Sequence, residues 1–275
     1  MTIYAPAKVN LYLRVLGRRP DGCHNIETVF ERIALCDKIV LNSLRDNKIK
    51  IFCDNPGVPT GKKSLIYRTV DLLRREKRIS KGAEVKILKK IPIAAGLGGG
   101  SSDAASILKG LNRLWRLSVG LPRLLKLGKS LGADMPFFLK DCSFASGHGK
   151  GDEVKKLNWK KKFWHLIISP PVKLLSKDVY KQLSLRGGRK APDEAISFIT
   201  NDLENIVLKK APLVRKLKIA LVDIGARYSL VSGSGPSVFS LFEKRKEAVR
   251  AKELLIRRFP VARRNGWQLF TVSTL

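Results

Sequence analysis

Lys90-Ile91-Pro92-Ile93-Ala94-Ala95-Gly96-Leu97-Gly98-Gly99-Gly100-Ser101-Ser102-Asp103-Ala104-Ala105 is the stretch whose reading decides the fold. A strand candidate, Val85 to Leu88, leads into it, and a helix over about 102–114 leads out. Glycine has no Cβ, so a glycine-rich turn lets backbone N–H groups wrap an anion. The helix that follows adds unpaired N–H groups and a positive dipole end. Ser101 and Ser102 add hydroxyl donors. This is the chemistry that cradles a triphosphate. No Gly-Lys-Ser/Thr closes the loop, so it is not a P-loop, and the glycine spacing does not give the dinucleotide fingerprint.

Working outward, the order of elements is mixed. Upstream, Lys8 to Leu16 carries apolar residues at 9, 11, 13 and 15, the alternation of a half-buried strand. Arg18-Arg19-Pro20-Asp21-Gly22 is turn chemistry, and 39–41 and 49–52 read as strands. Ser64 can cap a helix from Leu65 to Lys77. Downstream, a helix fits Leu121 to Leu131. Beyond it, Trp164 to Ile168, 230–231, 238–241 and 270–272 read as strands. Helices are expected over 176–183, over 206–221 with a break near Pro212, and over 245–258, and a polar loop begins at Gly187-Gly188. Short strands mixed with helices give an α+β chain. A boundary after the Gly147 to Gly151 segment divides it into 1–157 and 158–275.

With 275 residues and 44% hydrophobic composition, the chain can bury a sizeable core. Lys plus Arg number 54 against 23 Asp plus Glu, a formal net charge of +31. That balance favours anionic partners such as nucleotides, phosphorylated metabolites or nucleic acid. The four cysteines form no C-x-x-C pair, and no His/Cys cluster has zinc spacing. The N-terminus lacks an apolar secretion segment, and no run reaches membrane-spanning length. A cytoplasmic protein with reduced thiols and no membrane partner is expected.

Pro92-x-x-x-Gly96-Leu97-Gly98-x-x-Ser101-Ser102 resembles the second motif of the GHMP kinases, the family of galactokinase, homoserine kinase and mevalonate kinase. Further stretches resemble the branch that acts on 4-diphosphocytidyl-2-C-methyl-D-erythritol. They are Ala5-Pro6-Ala7-Lys8-Val9-Asn10-Leu11 with Gly17 to His24, then Gly132-Ala133-Asp134-Met135-Pro136-Phe137-Phe138, Asn201-Asp202-Leu203-Glu204 and Ser232-Gly233-Ser234-Gly235-Pro236. They keep the family order from residue 5 to about 240.

The resemblance implies a two-lobed GHMP kinase fold, α+β, with a ribosomal S5 domain 2-like N-terminal lobe and a ferredoxin-like C-terminal lobe. It implies ATP-dependent phosphorylation of the substrate's 2-hydroxyl, a step of the non-mevalonate isoprenoid precursor pathway. Lys8 and Asp134 fall on the family's catalytic pair. A carboxylate can take the hydroxyl proton while a lysine steadies charge. Pro92, Gly96, Leu97, Gly98, Gly99, Gly100, Ser101 and Ser102 fall on the ATP phosphate-binding positions. Asn10, His24, Tyr180, Gly233 and Ser234 fall on substrate-binding positions, with His24 reading the cytosine edge and Tyr180 stacking on it. The family usually has a second stacking tyrosine just before that histidine; here it is Cys23, which leaves a different small alcohol open as acceptor. Ser64 stands where the family often has asparagine beside the adenine pocket. No carboxylates form a dedicated metal cage, so Mg²⁺ is expected with ATP, and Asp103 is an outer-shell candidate. The charge suggests a nucleic-acid reading, but no recognised motif accompanies it; the expected partner is a small anionic substrate.

Overall fold

The computed structural model describes residues 1–183, 199–226, 228–260 and 266–275. The loop expected to begin at Gly187-Gly188 lies outside them. Strands β1 (Thr2–Arg18) and β2 (His24–Leu44) form a long antiparallel ladder. The second half of β2 pairs with β4 (Gly82–Leu88), which pairs in parallel with β3 (Ile49–Cys53). The first half of β2 pairs with β5 (Phe144–His148), and β5 with β6 (Glu153–Leu157). Short β8 (Thr200–Asn201) joins β1 in parallel and completes a seven-stranded sheet.

The alternation read in β1 is real, but its polar face is not exposed. Ala7, Val9 and Leu11 enter an apolar layer with Ile33, Leu35, Ile167 and Phe239. Lys8 and Asn10, on the other face, are buried as well, because the glycine-rich loop and the second lobe cover them. A strand expected to be half-buried is therefore covered on both faces from residue 7 to 13. Strand β2 is one element of 21 residues, longer than the 39–41 segment expected. Glu31 and Asp37 break its apolar pattern, yet both are fully buried and paired.

Helices α1 (Leu65–Lys77), α2 (Gly99–Leu114), α3 (Leu121–Leu131) and α4 (Met135–Lys140) bury their apolar faces with this sheet in one cluster built around Ile39, Leu41, Val85, Ile107, Leu108 and Phe137. Each such side chain contributes roughly 1.5–3 kcal/mol when fully buried. Ser64 caps α1, its Oγ accepting from the Tyr67 N–H at 3.1 Å. Arg78, in the left-handed region at φ 50°, ends it.

The second sheet is antiparallel, in the order β11 (Gln268–Ser273), β7 (Trp164–Ser169), β10 (Val238–Phe242), β9 (Tyr228–Val231). Helix α5 (Ser176–Tyr180) is shorter than expected. The break at Pro212 separates α6 (Glu204–Lys210) from α7 (Pro212–Asp223), because proline supplies no N–H and opens a new first turn. With α8 (Arg245–Arg258), this gives the strand order of a ferredoxin-like sandwich. Leu166, Ile168, Val214, Leu217, Leu221 and Leu255 fill its core. The other face of its sheet, Ile167 and Phe239, packs on β1, so the two sheets share one apolar layer. The α+β architecture expected from the sequence is met.

Candidate active site

The glycine-rich loop is held at both stems. At its entry, Asp37 Oδ1 accepts the N–H groups of Lys90 at 2.6 Å and Ile91 at 2.8 Å. Ala94, Gly96 and Gly98 adopt positive φ of 53°, 77° and 69°. Gly96 must be glycine on space as well: a Cβ there would overlap the carbonyl oxygen of Ser232. A Cβ on Gly98 would stand 3.0 Å from Lys8 Cγ and from Phe138 Cζ. Gly98 also starts the 16-residue α2 and offers no side-chain cap. The first N–H groups of that helix are left for another acceptor. The Ser102 Oγ in this turn is buried and has no partner. The loop and first turn present N–H groups with no helical partner, a chemistry that suits an anion.

Lys8 lies directly below. Its backbone N–H donates to Leu97 O at 3.0 Å, which ties β1 to the loop. Its Nζ donates to Asn10 Oδ1 at 2.5 Å and sits 3.9 Å from Asp134 Oδ2. Asn10 is fixed in turn: its Nδ2 donates to Thr28 Oγ1 at 2.8 Å, and Thr28 donates to Tyr12 O at 2.6 Å. Burial pushes the Lys8 ammonium below its ordinary pKa, with the Asp134 charge opposing. Asp134 precedes α4 and its side chain makes no capping bond; the carboxylate lines the cleft and stays 32% exposed.

The second lobe closes over this pair through its glycine turn. Ser232 Oγ donates to Gly96 O at 2.9 Å, and Ser237 N–H donates to Ala95 O at 3.2 Å. Gly233, at φ 54°, passes so close that a Cβ would stand 3.2 Å from Asn10 Oδ1 and 3.5 Å from Lys8 Nζ. Ser234 Oγ bonds Ser176 Oγ at 2.7 Å. Residues 201–204, a motif with no chemistry assigned from spacing, hold the turn in place. Asn201 Nδ2 donates to Val231 O at 2.8 Å and Gly233 O at 2.6 Å, and Glu204 Oε1 accepts from Val231 N–H at 2.9 Å. Asp202 Oδ2 accepts from Val15 N–H at 2.8 Å, which anchors the motif on β1.

At the mouth, the His24 ring stacks on Tyr180, centroids 5.1 Å apart and planes at 28°. Burial, then the Arg18 charge, pushes the His24 imidazole below its usual pKa. Burial and the nearby Asp134 charge hold the Tyr180 phenol well above its own. Cys23 is exposed, its N–H donating to Asp21 Oδ1 at 3.0 Å. All four cysteines are unpaired.

These parts enclose a cleft of about 660 Å³. Val58, Pro59, Leu65, Ile66, Pro92 and Ile93 give it an apolar end, and Asn10, Asp134, Lys150 and Tyr180 a polar one. Of the residues expected from the sequence, Lys8, Asn10, Pro92, Gly96 to Ser101, Asp134, Tyr180, Gly233 and Ser234 line it. Ser102, buried in the first turn of α2, and His24, stacked on Tyr180, are not among the lining residues. Sequence reasoning missed Lys89, Thr28, Phe30 and Lys150. Strand register brings Phe30 opposite Asn10, and no local signal marks it. Asp103 was expected near a metal; one of its oxygens is instead 2.8 Å from Lys89 Nζ. Burial first, then the Asp37 charge, pushes its carboxyl up to about 7 against the pull of Lys89. Among the described residues, no three His, Cys, Asp or Glu side chains gather as a metal site, and no helix is long and apolar enough to cross a membrane.

Residues 64–141 match the GHMP kinases N terminal domain, and residues 183–261 match the GHMP kinases C terminal domain. The chain is 40% identical to the 4-diphosphocytidyl-2-C-methyl-D-erythritol kinase of Geobacter sulfurreducens, covering 100% of this chain and 99% of that one. It is 35% identical to the enzyme of the same name from Acetivibrio thermocellus over 100% of this chain and 99% of the other. A crystal structure of 4-(cytidine 5'-diphospho)-2C-methyl-D-erythritol kinase superposes with a TM-score of 0.81 at 30% identity, covering 99% of each chain. A homoserine kinase from Cytophaga hutchinsonii shares the fold, with a TM-score of 0.74 at 18% identity over 100% of this chain and 94% of that one. A glycine loop over a buried lysine and its carboxylate partner, two matching domain families and full-length relatives agree: the chain belongs to the GHMP kinase family, in the group of 4-diphosphocytidyl-2-C-methyl-D-erythritol kinases.

Proposed function

We propose that this chain transfers the γ-phosphoryl group of ATP to the 2-hydroxyl of 4-diphosphocytidyl-2-C-methyl-D-erythritol, in the non-mevalonate route to isoprenoid precursors. The observation that carries this reading is the pairing of Lys8 Nζ with Asp134 Oδ2 at 3.9 Å, below an anion-binding loop and open to the cleft. The full-length relatives that carry this activity in their names support the choice of substrate.

The geometry supports one set of roles. Asp134, the more exposed partner, accepts the proton of the attacking hydroxyl. The hydroxyl oxygen bonds to the γ-phosphorus as the bond to the β–γ bridging oxygen breaks, and ADP leaves. Lys8, aimed by Asn10, stabilises the charge that develops on the transferring oxygens. Phosphoryl transfer depends on positioning and charge stabilisation, so the rigidity of Lys8 is functional. The loop from Gly96 to Ser101 and the first turn of α2 take the phosphates, and the apolar end of the cleft takes adenine. His24 and Tyr180 hold the cytosine. The buried, unpartnered Ser102 hydroxyl would offer Mg²⁺ one oxygen, with phosphate oxygens and water supplying the rest. When bound, Mg²⁺ neutralises phosphate charge. The two proposed lobes, 1–157 and 158–275, meet across the cleft, and the protein acts in the cytoplasm.

The test is ADP release with Mg-ATP and the cytidine substrate, comparing native protein with Asp134→Ala. Turnover in the native protein that falls by at least ~100-fold in the variant supports the assignment. Equal turnover in both removes Asp134 as the base.

A further inference from the structure

The buried cluster behind the loop is not used by the chemistry above. Lys89 Nζ bonds both Asp37 and Asp103, and all three side chains are nearly inaccessible, at 4%, 0% and 2% exposure. Their positions in the chain are informative. Asp37 comes from the middle of β2 and caps the loop entry by accepting the N–H groups of Lys90 and Ile91. Asp103 comes from the first turns of α2, the loop exit. Lys89 therefore joins the two stems of the loop to each other and to the sheet. Its Nζ also lies beneath the helix start: a Cβ on Gly99 would stand 3.4 Å from it.

A loop rich in glycine has high conformational freedom, and its N–H groups bind phosphate well only when held in one arrangement. Residues 94 to 98 contain three positive φ angles, so nothing in local preference holds the loop in shape. The bonds to Lys8, Ser232 and Ser237 fix its tip, and the Asp37–Lys89–Asp103 cluster joins its two stems. A buried lysine shared by two carboxylates is a poor stabilising device, since desolvation offsets most of the Coulomb gain. A positioning role accounts for it.

We propose that Lys89, gripped by Asp37 and Asp103, is a positioning clamp that preorganises the glycine-rich loop for the nucleotide phosphates. It rests on the kinase reading for its ligand. The clamp acts through the loop, so its loss weakens ATP and leaves the alcohol substrate alone.

Three measurements on Asp103→Ala, Asp103→Asn and native protein test this. The Ala variant removes one grip and leaves the Lys89–Asp37 pair balanced, so it folds. The Asn variant keeps an acceptor for Lys89. For Asp103→Ala, the ATP KM should rise by about 10- to 100-fold, the range for sub-ångström to ångström misplacement. The alcohol KM should stay within about two-fold, inside the uncertainty of non-additive effects. Asp103→Asn should restore most of the ATP KM. Hydrogen exchange without ligand should be faster in peptides spanning 91–103 of the Ala variant and unchanged in the second lobe. A folded Ala variant with native exchange in 91–103 overturns the clamp, as does an equal rise in both KM values. If the native chain shows no phosphoryl transfer, the kinase reading fails, and loop exchange together with direct titration of ATP still decides the clamp.

Discussion

Gly96 and Ser232 meet backbone to backbone across the two lobes, with Ser232 Oγ donating to Gly96 O at 2.9 Å and no room between them for a Cβ. This contact sets how closely the second glycine turn approaches Lys8. The left-handed φ of 77° at Gly96 adds a second requirement for glycine.

Gly96→Ala should therefore separate the two glycine turns. The backbone strain alone costs about 1–2 kcal/mol. Activity should fall at least ~100-fold, since the phosphate loop lies on one side of the contact and the cleft residues Tyr180, Gly233 and Ser234 on the other. Steady-state kinetics with Mg-ATP, alongside a thermal melt, reads both effects.

Lys8 should titrate below an ordinary lysine. Burial depresses its pKa from 10.5 and disfavours the charged form that the reaction uses. The protonated form is lost as pH rises, so the alkaline limb of kcat against pH should lie below 10.5. Lys8→Arg should move that limb up beyond the measurable range, because guanidinium stays charged, while lowering kcat through the changed shape. Lys8→Met should lose about 10²–10⁴ in kcat across all pH.

Asp103 ties stability to pH. Its carboxyl is pushed from 3.8 in the unfolded chain up to about 7 in the fold. The folded state holds that proton more tightly, so the stability it contributes is complete below 3.8 and is lost as pH rises through about 7. Asp103→Asn carries no such proton. Thermal melts from pH 5 to 8 should show the native midpoint declining relative to the variant, with the variant at least as stable at pH 8.

In the proposed function Cys23 gives the base no second aromatic wall beside Tyr180, whose ring stacks on His24. Cys23→Tyr should add a stacking surface worth on the order of 1–3 kcal/mol. The KM of the cytidine substrate should fall by about ten-fold or more, with the ATP KM unchanged. Tyr180→Ala should raise the same KM.

Much of this is legible in the sequence itself. Helices α1, α3 and α8 end where the sequence indicates, because caps and 3.6-residue periodicity are local signals. Strand β2 was not, because Glu31 and Asp37 look like solvent-facing residues until His165 and Lys90, on other elements, are brought to them. Helix α4, six residues long, is too short to show periodicity. In the site, the glycine loop was visible from composition, and Lys8 and Asp134 from family resemblance. The Asn201 to Glu204 staple and the Lys89 cluster were not, since their partners lie far away along the chain. Buried polar networks are assembled by tertiary packing, and spacing along the chain carries no trace of them.

The most direct test of the central claim is a ³¹P NMR spectrum of native protein with Mg-ATP and 4-diphosphocytidyl-2-C-methyl-D-erythritol. The account predicts a new phosphomonoester resonance on the 2-hydroxyl, growing in step with ADP and absent with Asp134→Ala. ATP binding without any new monoester, under conditions where a relative from the same family makes one, would contradict it.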